Sequence, residues 1–177
     1  MKSFYFVIFL VINIYSFNVF PKTIAVVNIQ SLIDNNNIYQ NTLKEIDLSQ
    51  QKFLKYFDIE ENKLKLKLNE IEESKLILND DEINVQIDNY NNELSKFTIL
   101  IEEFNFHYQN QIINIREIIF KEIIKLLEKY ALEKNVDLIL DSTSYLIASN
   151  SLDITIVISS ELEKLNLNLE YKDFEKN

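Results

Sequence analysis

The stretch "NVDLILDSTSYLIASNSLDIT", residues 135–155, holds a short apolar run ending on an acid, a polar turn, a second apolar run, another turn, and then Asp-Ile-Thr. It reads as a strand over 136–141, a turn, a strand over 145–149 and a helix cap spanning Asp153 to Thr155. Two short strands make a marginal sheet on their own, so the fold turns on what this β-unit pairs with.

A partner lies at the other end of the chain. Past the single proline, Pro21, the residues "KTIAVVNIQSLI" give a β-branched and apolar run over 23–29 that suits a buried strand. A short helical segment starts at Ser31 and is interrupted by Asn35, Asn36 and Asn37.

Between the two β-regions the apolar residues keep helical period. Ile87, Tyr90, Leu94, Phe97, Ile101, Phe104 and Tyr108 alternate steps of three and four, a heptad seam. The stripe continues through Ile112, Ile115, Ile119, Ile123, Leu126 and Tyr130 with longer steps, which predicts nearly straight, weakly supercoiled helices. Upstream the stripe is fainter: Tyr39, Leu43, Ile46, Phe53, Phe57, Leu64, Leu68, Ile71 and Leu78, with Gln50, Glu61 and Lys75 as polar interruptions. The two stripes meet at "LNDDE", where Asn79 precedes Glu82 by three, an Asn form of the capping box. A chain reversal there gives two antiparallel helices, 40–78 and 82–134, the shorter reaching on the order of 60 Å at the α-helical rise. One continuous rod is the alternative.

The hairpin brings the N-terminal and C-terminal strands together, so the β-unit is its root. The fold class is α+β, mainly α: a long antiparallel coiled-coil hairpin over 39–134, rooted in a small β body from 21–38 and 135–170. Such a root has little core of its own and is expected to be completed by association with copies of itself. The candidates for that shared core are Val26, Val27, Ile29, Leu138 and Leu140.

The chain has 177 residues, 47% of them hydrophobic, enough for one ordinary domain. It contains neither Cys nor Gly, which removes thiolate chemistry and Gly-rich phosphate loops. His107 is the single histidine, without a second for a metal pair, and is expected at the surface. Asp141 and Asp153 each end or cap an element, which argues against a catalytic carboxylate pair. No catalytic residue, metal site or cofactor is expected.

Residues 1–20, "MKSFYFVIFLVINIYSFNVF", place Lys2 before an apolar run, the layout of a signal peptide, with an uncleaved anchor as the alternative. Either exports the remainder, which carries 28 acidic groups against the 17 basic ones left when Lys2 is set aside. Nucleic acid is not an expected partner.

With those residues in view, the chain resembles the Skp/OmpH family of periplasmic chaperones. "IAVVNIQSLI" resembles the family's opening strand and turn, and "VDLILDSTSYLIASNSLDITIVISSELEKLN" its closing strand pair, Asp-apolar-Thr cap and final short helix. The resemblance implies a homotrimer whose strands form a small barrel-like body. Its three hairpins would project as tentacles around a cavity that holds unfolded outer-membrane proteins without nucleotide. The location implied is the periplasm, with membrane contact only through the N-terminal segment if it stays.

The chain departs from its basic relatives in charge. Residues 58–93 hold 11 acidic and 4 basic side chains, while residues 94–135 balance six against six. Long-range attraction of acidic clients is therefore not expected, and capture would rest on apolar contact. The candidates lie off the seam: Leu54, Leu66, Leu76, Ile77, Ile99, Phe106 and Ile113. A competing reading is an envelope-anchored structural coiled-coil spacer.

Overall fold

The computed structural model describes residues 22–176, so the expected export segment over 1–20 lies outside the described residues. In chain order the elements are β1 (Ile24–Val27), α1 (Ile29–Asp34), α2 (Asn37–Ser74), α3 (Asp80–Lys134), β2 (Leu138–Asp141) and α4 (Thr155–Leu162). Single 3-10 turns at Ser142–Ser144 and Asn150–Leu152 lie between β2 and α4.

The long hairpin forms, and its corner is built as the capping box requires. The Asn79 side chain accepts from the Glu82 amide at 3.0 Å while the Glu82 carboxylate accepts from the Asn79 amide. α2 stops at Ser74, four residues short of the expected end, because residues 75–78 turn through bonds from Leu76 to Glu73 and from Ile77 and Leu78 to Ser74. At 1.5 Å per residue α2 spans about 57 Å and α3 about 83 Å. The excess of α3 is the part that runs through the root.

The chain has no glycine, and asparagines do the work of ending and starting helices. Asn36 caps α2 by accepting from the Tyr39 amide at 2.9 Å. Asn135 closes α3 at φ 52°, the left-handed conformation that Asn tolerates better than most side chains.

Contacts in falling register show that the arms are antiparallel: Ser49 meets Tyr108, Phe57 meets Phe97 and Phe104, and Lys67 pairs with Glu93. Tyr39, Ile46, Phe57, Leu64 and Ile71 of α2 are buried as the stripe predicts, and Leu68 is exposed. Thr42 and Ser49, not Gln50, are the buried polar residues of α2. On α3 the seam holds, except that Leu94 is exposed and Leu127 is more deeply buried than Leu126. In the root, Ile115, Ile119, Ile123 and Leu127 recur every four residues. They share one core with Val27, Leu32, Ile33, Ile154, Ile158 and Leu162.

β1 and β2 pair in parallel, with Ile24 opposite Leu138 and Val27 opposite Asp141. Parallel neighbours need a crossover, and here the crossover is the entire hairpin. Two expectations about the strands are corrected. β1 ends at Val27, because the Asn28 side chain accepts from the Ser31 amide at 2.8 Å and starts a helix at Ile29.

Residues 145–149 form no strand. The Asp141 carboxylate accepts from the Thr143 amide and hydroxyl, winding a 3-10 turn that carries the following run off the sheet, and Leu146 and Ile147 stand in solvent. The free edge of β1 is met further on by a parallel bridge from Val26 to Asp153, with the Ile154 amide bonded to the Val26 carbonyl at 2.9 Å.

Candidate functional site

Three surfaces can carry function: the open faces of the arm, the root, and a strap formed by the residues after α4.

On the arm, the antiparallel pair buries one stripe of each helix and leaves the other faces in water. Leu54, Leu66, Leu76, Ile77, Ile99, Phe106 and Ile113 are all exposed, and Leu76 and Ile77 sit at the tip. Leu48, Ile59 and Val85 add to them and were not singled out from the sequence, although their off-stripe positions were legible there. Together they leave apolar surface open to water along both helices.

In the root, Val26 and Val27 are already buried by their own chain, at 3% and 1% exposure. Ile29 and Leu140 are half-buried, and Leu138 is 47% exposed. Leu138, Ile24, Leu146 and Ile147 are open apolar residues of the root, as are Leu132, Ile156 and Val157. Leu146 and Ile147 were read from the sequence as strand residues; once the strand is absent, they are its most exposed apolar pair. A groove of about 510 Å³ in the root is lined by Ile29, Ile33, Ile113, Arg116, Phe120 and Asp141.

The carboxylates of the root serve as backbone ties. Asp153 accepts from the Thr155 amide at 2.8 Å. Burial pushes the Asp141 carboxyl up, but hydrogen bonds from the Thr143 hydroxyl and from the Ile29, Thr143 and Ser142 amides outweigh it and hold the carboxyl below its ordinary value. Among the described residues no group of three or more His, Cys, Asp or Glu side chains could hold a metal ion.

The strap was missed in the sequence. Residues 166–176 have no regular secondary structure, yet they run back from α4 along the hairpin with Leu169 and Phe174 buried. Phe174 packs edge-on against Phe53 and Phe104, with ring centroids 5.4 and 5.6 Å away. His107, expected as a simple surface residue, donates through Nε2 to the Lys172 carbonyl at 2.7 Å. Lys176 reaches Tyr56, its ammonium 4.7 Å above the ring. Burial, with Asp173, Glu45 and Tyr108 nearby, pushes the Tyr171 phenol above its ordinary value. A signal was available: Leu165, Leu167, Leu169 and Tyr171 alternate with polar residues, the period of an extended chain with one face covered.

The hairpin stands on a root made from both ends of the chain, with apolar side chains open along the arm. The family model described as "Outer membrane protein (OmpH-like)" matches residues 23–162. The chain belongs to the OmpH-like family. Among solved structures it is similar to that of a candidate outer membrane chaperone (OmpH-like) from Caulobacter crescentus CB15. That match has a TM-score of 0.62 and 10% identity, and covers 81% of this chain and 85% of the other. At that identity the likeness establishes a shared fold. No curated protein matches the chain.

Proposed function

We propose that this chain is a periplasmic holdase chaperone that binds unfolded outer-membrane proteins between helical arms, without nucleotide, as a homotrimer. The observation that carries the reading is the set of large apolar side chains the arm leaves uncovered, Leu66, Ile99, Phe106 and Ile113 among them. A holdase needs such surface, because an unfolded client offers apolar segments and gains by burying them, about 25 cal/mol per Å² removed from water. Membership of the OmpH-like family supports the same role.

Trimer formation is supported by the root. A two-stranded sheet is marginal alone, and Leu138, Leu146 and Ile147 leave apolar surface that a second copy would cover. The client-binding reading is preferred over an envelope-anchored spacer because a spacer has no use for apolar faces open to water.

The test is direct. The purified chain is mixed, without nucleotide, with a denatured β-barrel outer-membrane protein, and light scattering follows aggregation after dilution from denaturant. Suppression in proportion to chaperone concentration is expected. Unchanged aggregation at excess chaperone would remove the holdase reading.

A further inference from the structure

We infer that the α2–α3 seam near Ser49 and Tyr108 is a binding site for an extended, aromatic-centred polypeptide segment, and that residues 169–176 of this chain are its resident, displaceable occupant. The inference rests on the holdase reading only for the identity of the competitor, an unfolded client.

The seam is built to recognise backbone. Ser49 and Tyr108 place two hydroxyls at positions of 4% and 1% exposure in an otherwise apolar interface. Their hydrogen bonds close through the strap: Ser49 donates to the Asp173 carboxylate at 2.5 Å, so its Oγ is left to accept from the Tyr108 hydroxyl at 2.7 Å. The Tyr108 oxygen in turn accepts from the Phe174 amide at 3.3 Å. With His107 holding the Lys172 carbonyl, the hairpin reads the main chain on both sides of Asp173 and seats the Phe174 ring between Phe53 and Phe104. The two hydroxyls bond each other, and each has a further partner on the strap, the Asp173 carboxylate for Ser49 and the Phe174 amide for Tyr108.

The occupant is held without structure of its own. Among the described residues, residues 166–176 make no backbone-to-backbone hydrogen bonds, so side chains alone keep them in place. At Lys176 the strap adjoins a groove of about 520 Å³ that Tyr56, Leu64, Lys67, Phe97 and Leu100 also line. The strap also lies outside residues 23–162, the part of the chain that carries the family match.

The experiment uses the full chain. A labelled peptide of residues 169–176 is titrated against wild-type protein and the F174A variant, by fluorescence anisotropy. If the resident strap fills the site nine-tenths of the time, it weakens apparent peptide affinity about tenfold, so F174A should bind the peptide about tenfold more tightly than wild type. A peptide carrying the same Phe-to-Ala change should not bind either protein. Should F174A fail to fold, the D173A/K176A variant loosens the strap at its bonds to Ser49 and Tyr56 and should show the same gain.

Equal peptide affinity in wild type and a folded strap variant would overturn the inference, and so would binding indifferent to the peptide's Phe. Unfolded β-barrel protein should displace the bound peptide, and failure to displace it overturns the competition. Peptide binding by a chain that cannot suppress aggregation would remove the holdase reading and leave the site standing. Suppression without peptide binding does the reverse.

Discussion

The carboxylate of Asp141, at the end of β2, accepts a hydrogen bond from the amide of Ile29, the first residue of α1, at 3.1 Å across 112 positions of sequence. One residue earlier the Asn28 amide donates to the Thr155 hydroxyl at 2.9 Å. The β1–α1 corner is thus tied to both segments that follow the hairpin. The Asp-Ile-Thr element supplies one tie and the acid ending β2 the other, so the two chain ends are joined by polar groups as well as by the sheet.

These ties give a pH signature. The folded carboxyl of Asp141 lies below its ordinary value, so its contribution is fully present above the unfolded value of about 3.9 and is lost as pH falls through the folded one. D141N loses the charge and one of the two acceptor oxygens, and should cost on the order of 1–2 kcal/mol near neutrality, with the gap to wild type closing in acid. Urea unfolding curves of the two proteins, at neutral pH and below about pH 4, measure both halves.

Much of this was legible in the sequence, for physical reasons that also mark where reading stopped. The seam through Phe57, Phe104 and Tyr108 follows from helical period, and the corner at Asn79 and Glu82 from capping chemistry, because both are local. Residues 145–149 have the composition of a strand, but whether such a run pairs depends on an available edge, which composition does not encode. Ser49 was not singled out and His107 was placed at the surface, because their partners lie 124 and 65 residues away in the strap. The exposure of Leu66 or Ile113 was legible from phase; what covers them is a property of a partner.

The root separates folding from association. Val27 is buried within its own chain, so V27D places an unpaired charge in the core and should unfold the root at a cost of several kcal/mol. Leu138, Leu146 and Ile147 are open, so L138D and the L146D/I147D pair should keep the single-chain fold and lose the oligomer. Circular dichroism with light-scattering mass distinguishes the two classes. An unchanged mass for both surface variants would place the subunit contact on the helices.

The arm surface is tested by removing apolar groups without touching the seam. L66S, I99S, F106S and I113S together leave the buried stripe of each helix intact, so helix content and mass should be unchanged. Each contact fully buried by a client is worth about 1 kcal/mol or more, and the combined variant should suppress aggregation of an unfolded β-barrel protein far less well. Full activity would shift the binding surface to the root or the strap.

The tips of the hairpin are acidic. Residues 58–93 hold 11 acidic against 4 basic side chains. The ion pairs of Lys63 with Glu60, Lys65 with Glu61 and Lys67 with Glu93 engage three of those bases. In a trimer, three such tips face a common space and repel one another, while the stretch nearer the root is balanced. The screening length is about 30 Å at 0.01 M salt and about 8 Å at physiological ionic strength, so the arms should splay in dilute buffer and approach as salt is added. Thin packing at the distal end permits the movement, since Leu64, Ile71 and Ile83 are the buried apolar residues there. Small-angle scattering across a salt series should show the radius of gyration contracting. Affinity for an acidic client should hold or rise over the same series, because screening removes repulsion. A constant radius together with affinity that falls as salt rises would mean that the tip charge is only solvated and that a basic patch captures the client.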